Sequence, residues 1–193
     1  MVGLGNPGPE HAKTRHNVGF MVAEELVRRW ELGRGRDRFR GRIVEGRVGG
    51  GEPGAALGEP GPRDPARVAV LCPQTYMNDA GRSVGPARGS YKLPLERVLV
   101  VHDEIDLPFG EVRSRTGGGL AGHNGLKSIK RELGSGEFTR VRVGVGRPDS
   151  TDPEIVSAWV LGRFGEGQLA VAELVERAVE EVERLILTGD VDG

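Results

Sequence analysis

Arg97-Val98-Leu99-Val100-Val101-His102-Asp103-Glu104 is the stretch on which the fold turns. Four apolar residues in a row, three of them β-branched, leave no polar face. The segment therefore reads as a strand buried on both sides, the kind that parallel sheets use. Its apolar run stops at an imidazole and two carboxylates, which places polar groups at the strand's C-terminal end, where open α/β sheets hold their ligands.

Working outward from this strand, residues 111–115 form a short polar strand before Gly117-Gly118-Gly119, and residues 126–133 form a helix closed by Gly134. Residues 140–145 alternate basic and apolar side chains, as a half-buried strand does. Asp152-Pro153 is a helix cap followed by proline at the first helical position, opening a helix to Leu161. From about residue 166 to 187, Val171, Leu174, Val175, Ala178, Val182, Leu185 and Ile186 share one face with glutamates opposite, the pattern of an amphipathic helix docked on a sheet.

Toward the N-terminus, residues 67–72 and 42–48 read as strands, and Val18, Val22, Leu26 and Trp30 recur at helical spacing and stop before Gly33. A first helix over about residues 17–32 follows, with His16 at its N-terminal edge. Strands and helices in this order predict an α/β fold: a single-domain sandwich with a twisted mixed sheet flanked by helices. The chain of 193 residues, 37% hydrophobic, buries one core and has little room for two, so residues 1–193 are read as one domain. The stretch 49–65 is too rich in Gly and Pro for regular structure and reads as a flexible loop.

Composition excludes several classes. The longest apolar runs are far shorter than a membrane span, and the N-terminus lacks a basic region followed by an apolar one, so a cytoplasmic protein without membrane contact is expected. One cysteine rules out an intramolecular disulfide, and Cys72 in its apolar run reads as a small buried hydrophobe. The net charge of −1 conceals a basic excess in the first 162 residues. Arg34, Arg36, Arg38, Arg40 and Arg42 occupy alternate positions, which in one strand would share one face. A solvated face is the simpler reading, a phosphate-binding stripe the sharper one.

Candidate chemistry gathers around two His-Asn pairs, each beside dense glycine: Gly3-Leu4-Gly5-Asn6-Pro7-Gly8 leading to Thr14-Arg15-His16-Asn17, and residues 117–122 leading to His123-Asn124-Gly125. Glycine clusters where backbone must turn sharply or approach a ligand closely. The first string matches G-x-G-x-x-G, but only two residues precede Gly3 and the helix opens too late to cradle a pyrophosphate, so a nicotinamide or flavin enzyme is not expected. No G-x-S-x-G elbow is present, which leaves a base acting on water. Asp103 could fix the tautomer of a histidine so that the opposite nitrogen takes a proton, and either His16 or His123 fits that role. Asn6, Asn78 and Asn124 offer donor and acceptor to a peptide-like amide and an ester carbonyl. Metal ligation by His102, Asp103, Glu104 and His123 is a minor alternative, since no helical ligand spacing supports it.

These segments resemble the bacterial peptidyl-tRNA hydrolases from Val2 to about Leu187. Residues 2–8 with 14–19 are similar to the family's first signature and residues 117–129 to its second. Thr75-Tyr76-Met77-Asn78 and His102-Asp103-Glu104-Ile105-Asp106-Leu107-Pro108 also match family segments. The resemblance implies His16 as general base, Asp103 as its orienting partner, and Asn6 as the group that tells N-blocked from free aminoacyl ends. It implies that Asn78, Asn124, Met77 and Tyr76 hold the substrate, with His123 in a secondary role, and that Arg115 and Arg142 grip a terminal phosphate of tRNA. His11 stands where relatives often carry tyrosine, so the resemblance implies that stacking on the terminal adenosine is either weaker or carried by imidazole. Hydrolysis of the peptide–ribose ester of peptidyl-tRNA without cofactor or metal, by a monomer, is the implied function. An RNA-binding protein on the same fold that has lost catalysis is the alternative. Gly81, Gly85-Pro86 and Gly89 predict irregularity in a segment that is helical in the family.

Overall fold

The computed structural model describes residues 1–49 and 65–189. Seven strands form one mixed sheet: β1 (Val2–Gly3), β2 (Arg36–Arg38), β3 (Gly41–Val48), β4 (Ala66–Pro73), β5 (Leu99–Glu104), β6 (Val112–Thr116) and β7 (Thr139–Gly144). Their spatial order is β2-β3-β4-β1-β5-β7-β6. The central strands β4, β1, β5 and β7 run parallel, while β2, β3 and β6 are antiparallel to their neighbours. The fold-deciding stretch is thus a central strand, buried at all six positions.

Five α-helices cover the sheet among the described residues: α1 (Val18–Arg29), α2 (Gly81–Tyr91), α3 (Asn124–Leu133), α4 (Pro153–Leu161) and α5 (Gln168–Thr188). On one face Val18, Val22 and Leu26 of α1 and Leu174, Ala178 and Val182 of α5 pack on Val101, Val141 and Val143. On the other, Val84 and Ala87 of α2 and Leu126 and Ile129 of α3 pack on Val2, Leu4 and Val100. Successive residues of β5 feed opposite cores, which is the period-two rule at work on a strand covered on both sides.

Three expectations are corrected. The arginines from 34 to 42 do not share a strand. Phe39 and Arg40 take φ of 57° and 52°, turning the chain between β2 and β3, and Arg42 pairs across from Asp37 while Arg36 and Arg38 lie opposite Ile43 and Gly41. Arg42 therefore leaves the face opposite to Arg36 and Arg38. Residues 81–91 are a helix despite their composition. A Cβ on Gly81 would lie 2.3 Å from the Ser128 carbonyl oxygen and one on Gly85 2.5 Å from Glu132 Cγ, so the glycines let α2 press against α3, and tertiary contact outweighs propensity. Arg140, expected on the solvated face of its strand, is 1% exposed. Its guanidinium donates to the carbonyls of Gly117 and Gly119, which fold over it. The stretch 49–65 lies almost wholly outside the described residues.

Candidate active site

His16 sits in a 3₁₀ turn (Arg15–Asn17) leading directly into α1. The turn reaches the C-terminal edge of the sheet because α1 starts in backbone contact with β1: a Cβ on Gly3 would stand 2.3 Å from the Gly19 carbonyl oxygen, and one on Gly19 2.4 Å from Leu4 N. Any side chain at either position would push the turn, and His16 with it, away from β5.

Asp103, on β5, is 3% exposed, and a single oxygen of it meets both histidines. Oδ1 lies 2.9 Å from His16 Nδ1 and 3.0 Å from His123 Nε2. Burial opposes a charge on Asp103, yet the two imidazoles hold its carboxyl well below the usual carboxylate range. An ionised carboxylate only accepts hydrogen bonds, so both ring nitrogens donate. For His16, burial disfavours the cation, but the charge of Asp103 and its hydrogen bond outweigh that and raise the pKa.

The two histidines, alike in spacing, differ in what the second nitrogen of each meets. His123 is the N-cap of α3: its Nδ1 accepts from the amides of Gly125 at 3.1 Å and Leu126 at 3.4 Å. Amide groups only donate, so the ring is a neutral imidazole with its proton on Nε2 and no lone pair left over. His16 has given only Nδ1 to Asp103. His102 is buried, donates Nδ1–H to the Asp103 carbonyl oxygen at 2.7 Å, and is driven by burial and the nearby His123 down to about 3, so it stays neutral.

The same tautomer bears on metal binding. Donor atoms of His16, Asp103 and His123 lie within 4.8 Å of one another, a grouping different from the His102-Asp103-Glu104-His123 set considered from sequence. A neutral imidazole that ligates through Nε2 must carry its proton on Nδ1, where His123 already faces two amide protons. The donor set does not suit a cation.

Asn6 and Asn17 fix the opposite wall. Asn17 Oδ1 accepts from the Asn6 amide and its Nδ2 donates to the Asn6 carbonyl, both at 2.9 Å. The Met77 amide donates to Asn6 Oδ1 at 2.8 Å. With Oδ1 committed, the group that Asn6 offers a ligand is its side-chain NH2.

Asn6, His16, His102, Asp103 and His123 line a cleft of about 870 Å³ together with Tyr76, Met77, Asn78, Asn124, Lys127 and Arg147, and with Ile105, Val156, Val160 and Leu161 as an apolar wall. The chemistry this arrangement permits is proton abstraction from water beside a carbonyl-binding donor. A family model described as peptidyl-tRNA hydrolase matches residues 1–192. The chain belongs to the peptidyl-tRNA hydrolase family. Relatives named peptidyl-tRNA hydrolase include that of Azorhizobium caulinodans, 40% identical over 98% of this chain and 84% of its own length. That of Parvibaculum lavamentivorans is 44% identical with the same coverage. The crystal structure of peptidyl-tRNA hydrolase from Acinetobacter baumannii superposes with a TM-score of 0.81 at 35% identity, covering 97% of this chain and 87% of that one.

Within this peptidyl-tRNA hydrolase fold, the arginines expected to grip tRNA stand apart from the cleft. Neither Arg115 nor Arg142 lines it. Arg115 is exposed, its guanidinium over Gly118, whereas Arg142 Nε donates to buried Glu104 at 2.9 Å. His11 is also outside the lining; its carbonyl accepts from Thr14 Oγ1, and Glu10 Oε1 lies 3.8 Å from its ring. Burial pushes the Cys72 thiol up to about 12, which suits a packed side chain and no nucleophile.

Sequence reasoning missed Asn17 as the clamp on Asn6, Lys127 and Arg147 in the cleft, and the apolar wall of α4. Lys127 was findable, because it falls three residues after Asn124 and so on the same side of α3. Arg147 carried no signal that separates it from the other arginines.

Proposed function

We propose that this chain is a peptidyl-tRNA hydrolase whose general base is His16. The single observation that carries the assignment is the pair of tautomers at Asp103: His123 has both nitrogens engaged, and His16 retains Nε2 for a proton. His16 Nε2 takes a proton from water, and the oxygen adds to the carbonyl carbon of the ester joining the peptide to the 3′-terminal ribose. Asn6 donates its side-chain NH2 to the carbonyl oxygen as negative charge develops there. Such a donor is worth most where it is fixed beforehand, and two backbone clamps from Asn17 and one from Met77 fix this one. Asp103 stabilises the imidazolium. The intermediate then breaks its bond to ribose, and the proton held by His16 passes to the leaving ribose oxygen.

The apolar wall of Ile105, Val156, Val160 and Leu161 takes side chains of the peptide, while Asn78, Asn124, Tyr76 and Met77 hold its backbone and the terminal nucleotide. Arg115 meets tRNA phosphate outside the cleft, with Arg142 in support. The reading is of a monomer that acts in the cytoplasm and needs no cofactor. No helix among the described residues is long and apolar enough to cross a membrane. The intact set at Asp103 favours catalysis over the inactive RNA-binding alternative.

The test is release of an N-blocked amino acid from charged tRNA, with free aminoacyl-tRNA as control. The parent chain should hydrolyse the first and spare the second, and His16→Ala should lose roughly 10²- to 10⁴-fold in turnover with its fold retained. Near-parental turnover in that variant would remove His16 from the role.

A further inference from the structure

Helix α4 supplies the apolar wall of the cleft and yet buries none of its own residues. Ile155 and Leu161 are 47% and 43% exposed. A helix with so little in the core needs another attachment, and the contacts around Trp159 provide it. The Arg15 guanidinium carbon lies 3.8 Å from the centre of the Trp159 ring. Arg15 is 5% exposed. Its amide donates to the Gly162 carbonyl at 3.0 Å, Nη1 donates to the Arg163 carbonyl at 2.6 Å, and Nη2 pairs with Glu166 at 3.3 Å. Phe164 adds a second ring 5.5 Å from the same guanidinium. The far edge of Trp159 donates Nε1–H to the Gly146 carbonyl at 2.9 Å.

Arg15 is the residue immediately before His16, in the same 3₁₀ turn. One side chain therefore fastens the end of α4 to the turn that carries the base. We infer that Arg15 and Trp159 are positioning residues that hold the peptide-binding wall of α4 in register with His16. Neither lines the cleft, so their part is to position it. The inference rests on the reading of α4 as the peptide's wall.

A desolvated guanidinium on indole is among the stronger pairs of its kind, and Arg15 fits because a planar cation can stack on one face while its edge donates hydrogen bonds, which an ammonium cannot do. When the pin is removed, the C-terminal end of α4 keeps the backbone hydrogen bond from Arg15 to Gly162 and the bridge between Thr14 and Arg163. The base keeps its partner Asp103. The consequence falls on binding of the peptide, with the chemical step spared.

The experiment compares the parent with Trp159→Leu, Trp159→Phe, Arg15→Met and the double variant Arg15→Met/Trp159→Leu. Each is assayed on tRNA carrying an apolar tripeptide and on N-acetylglycyl-tRNA, with amide hydrogen exchange followed across residues 153–161. Trp159→Leu should raise KM on the tripeptidyl substrate by roughly three- to thirtyfold, the range spanned by such pairs, with kcat held within about twofold. KM on the acetylglycyl substrate should move little. Exchange in α4 should quicken by a similar factor, and Trp159→Phe, which keeps a ring under the cation, should restore both. The loss in the double variant should fall short of the sum of the two single losses, because both remove the shared stack of guanidinium on indole.

Parental KM and parental exchange in Trp159→Leu would overturn the inference. So would additive losses in the double variant, or an equal fall in kcat on both substrates, which would mean that the ring supports His16 and not the wall. Faster exchange with unchanged KM on the tripeptidyl substrate would also overturn it. A parent that hydrolyses neither substrate would instead overturn the functional reading, and the exchange data would still decide whether Arg15 and Trp159 fasten α4.

Discussion

The rings of His16 and His123 stand 5.0 Å apart, tilted by 38°, and both donate to one oxygen of Asp103. The two residues look alike in sequence, each followed by asparagine, and differ entirely in what their second nitrogen does. His123 closes the first turn of α3 with it, and that of His16 meets no hydrogen-bond partner among the described residues.

The pH profile should follow from the raised pKa of His16. A base works only when unprotonated, so activity should be present at high pH and lost as pH falls through a value above the ordinary imidazole range of about 6.5. Asp103→Asn removes the charge that raises this pKa and leaves the burial that lowers it. The acidic limb of kcat/KM should therefore move to lower pH while the plateau drops, though less than in His16→Ala. A limb that stays in place in Asp103→Asn would show that another group titrates there.

His123 should contribute through structure. His123→Ala leaves the Gly125 and Leu126 amides without their cap and should lower stability by about 1 kcal/mol, readable as a fall in the urea midpoint. Turnover should fall by less than in His16→Ala, and the acidic limb should persist. A loss as deep as that of His16→Ala would make His123 a second base.

Gly125→Ala is a small change with a directed effect. The added Cβ would lie 2.5 Å from Met77 Sδ, and the Met77 amide is what holds Asn6 Oδ1. Overpacking of this kind costs about 1–3 kcal/mol. Calorimetry should show the lower Tm, and kcat should fall as Asn6 loses its fixed orientation. A normal Tm with normal kcat would mean that the methionine yields without moving Asn6.

Arg115 and Arg142 should separate. Arg115→Ala should flatten the dependence of log affinity on log salt by about one unit or less and leave Tm unchanged. Arg142→Ala abandons Glu104, a buried carboxylate, and should lower Tm as well. Equal behaviour of the two variants in both measurements would contradict this division.

Exhaustive chelation should leave the rate on a minimal charged fragment unchanged, since the tautomer of His123 does not suit a cation. Activity lost to a chelator and restored by zinc would reverse that assignment.

Sequence alone determined the elements whose hydrophobic period is unambiguous. The run through Val98–Val101 permitted no exposed face, the α5 stripe permitted only one, and Asp152-Pro153 set the start of α4, with the Asp152 carboxylate accepting from Glu154 N at 2.8 Å. The four family segments also contain most of the residues that line the cleft. Tertiary structure decided what depends on a partner distant in the chain. Regularity of α2 came from Gly81 and Gly85 meeting α3, burial of Arg140 from two carbonyls some twenty residues earlier, and the attachment of α4 from Arg15, 144 residues before Trp159. The difference between His16 and His123 belongs to this second kind. A tautomer is fixed by which donors and acceptors surround a ring, and those groups are assembled only when β5, α1 and α3 meet at one edge of the sheet.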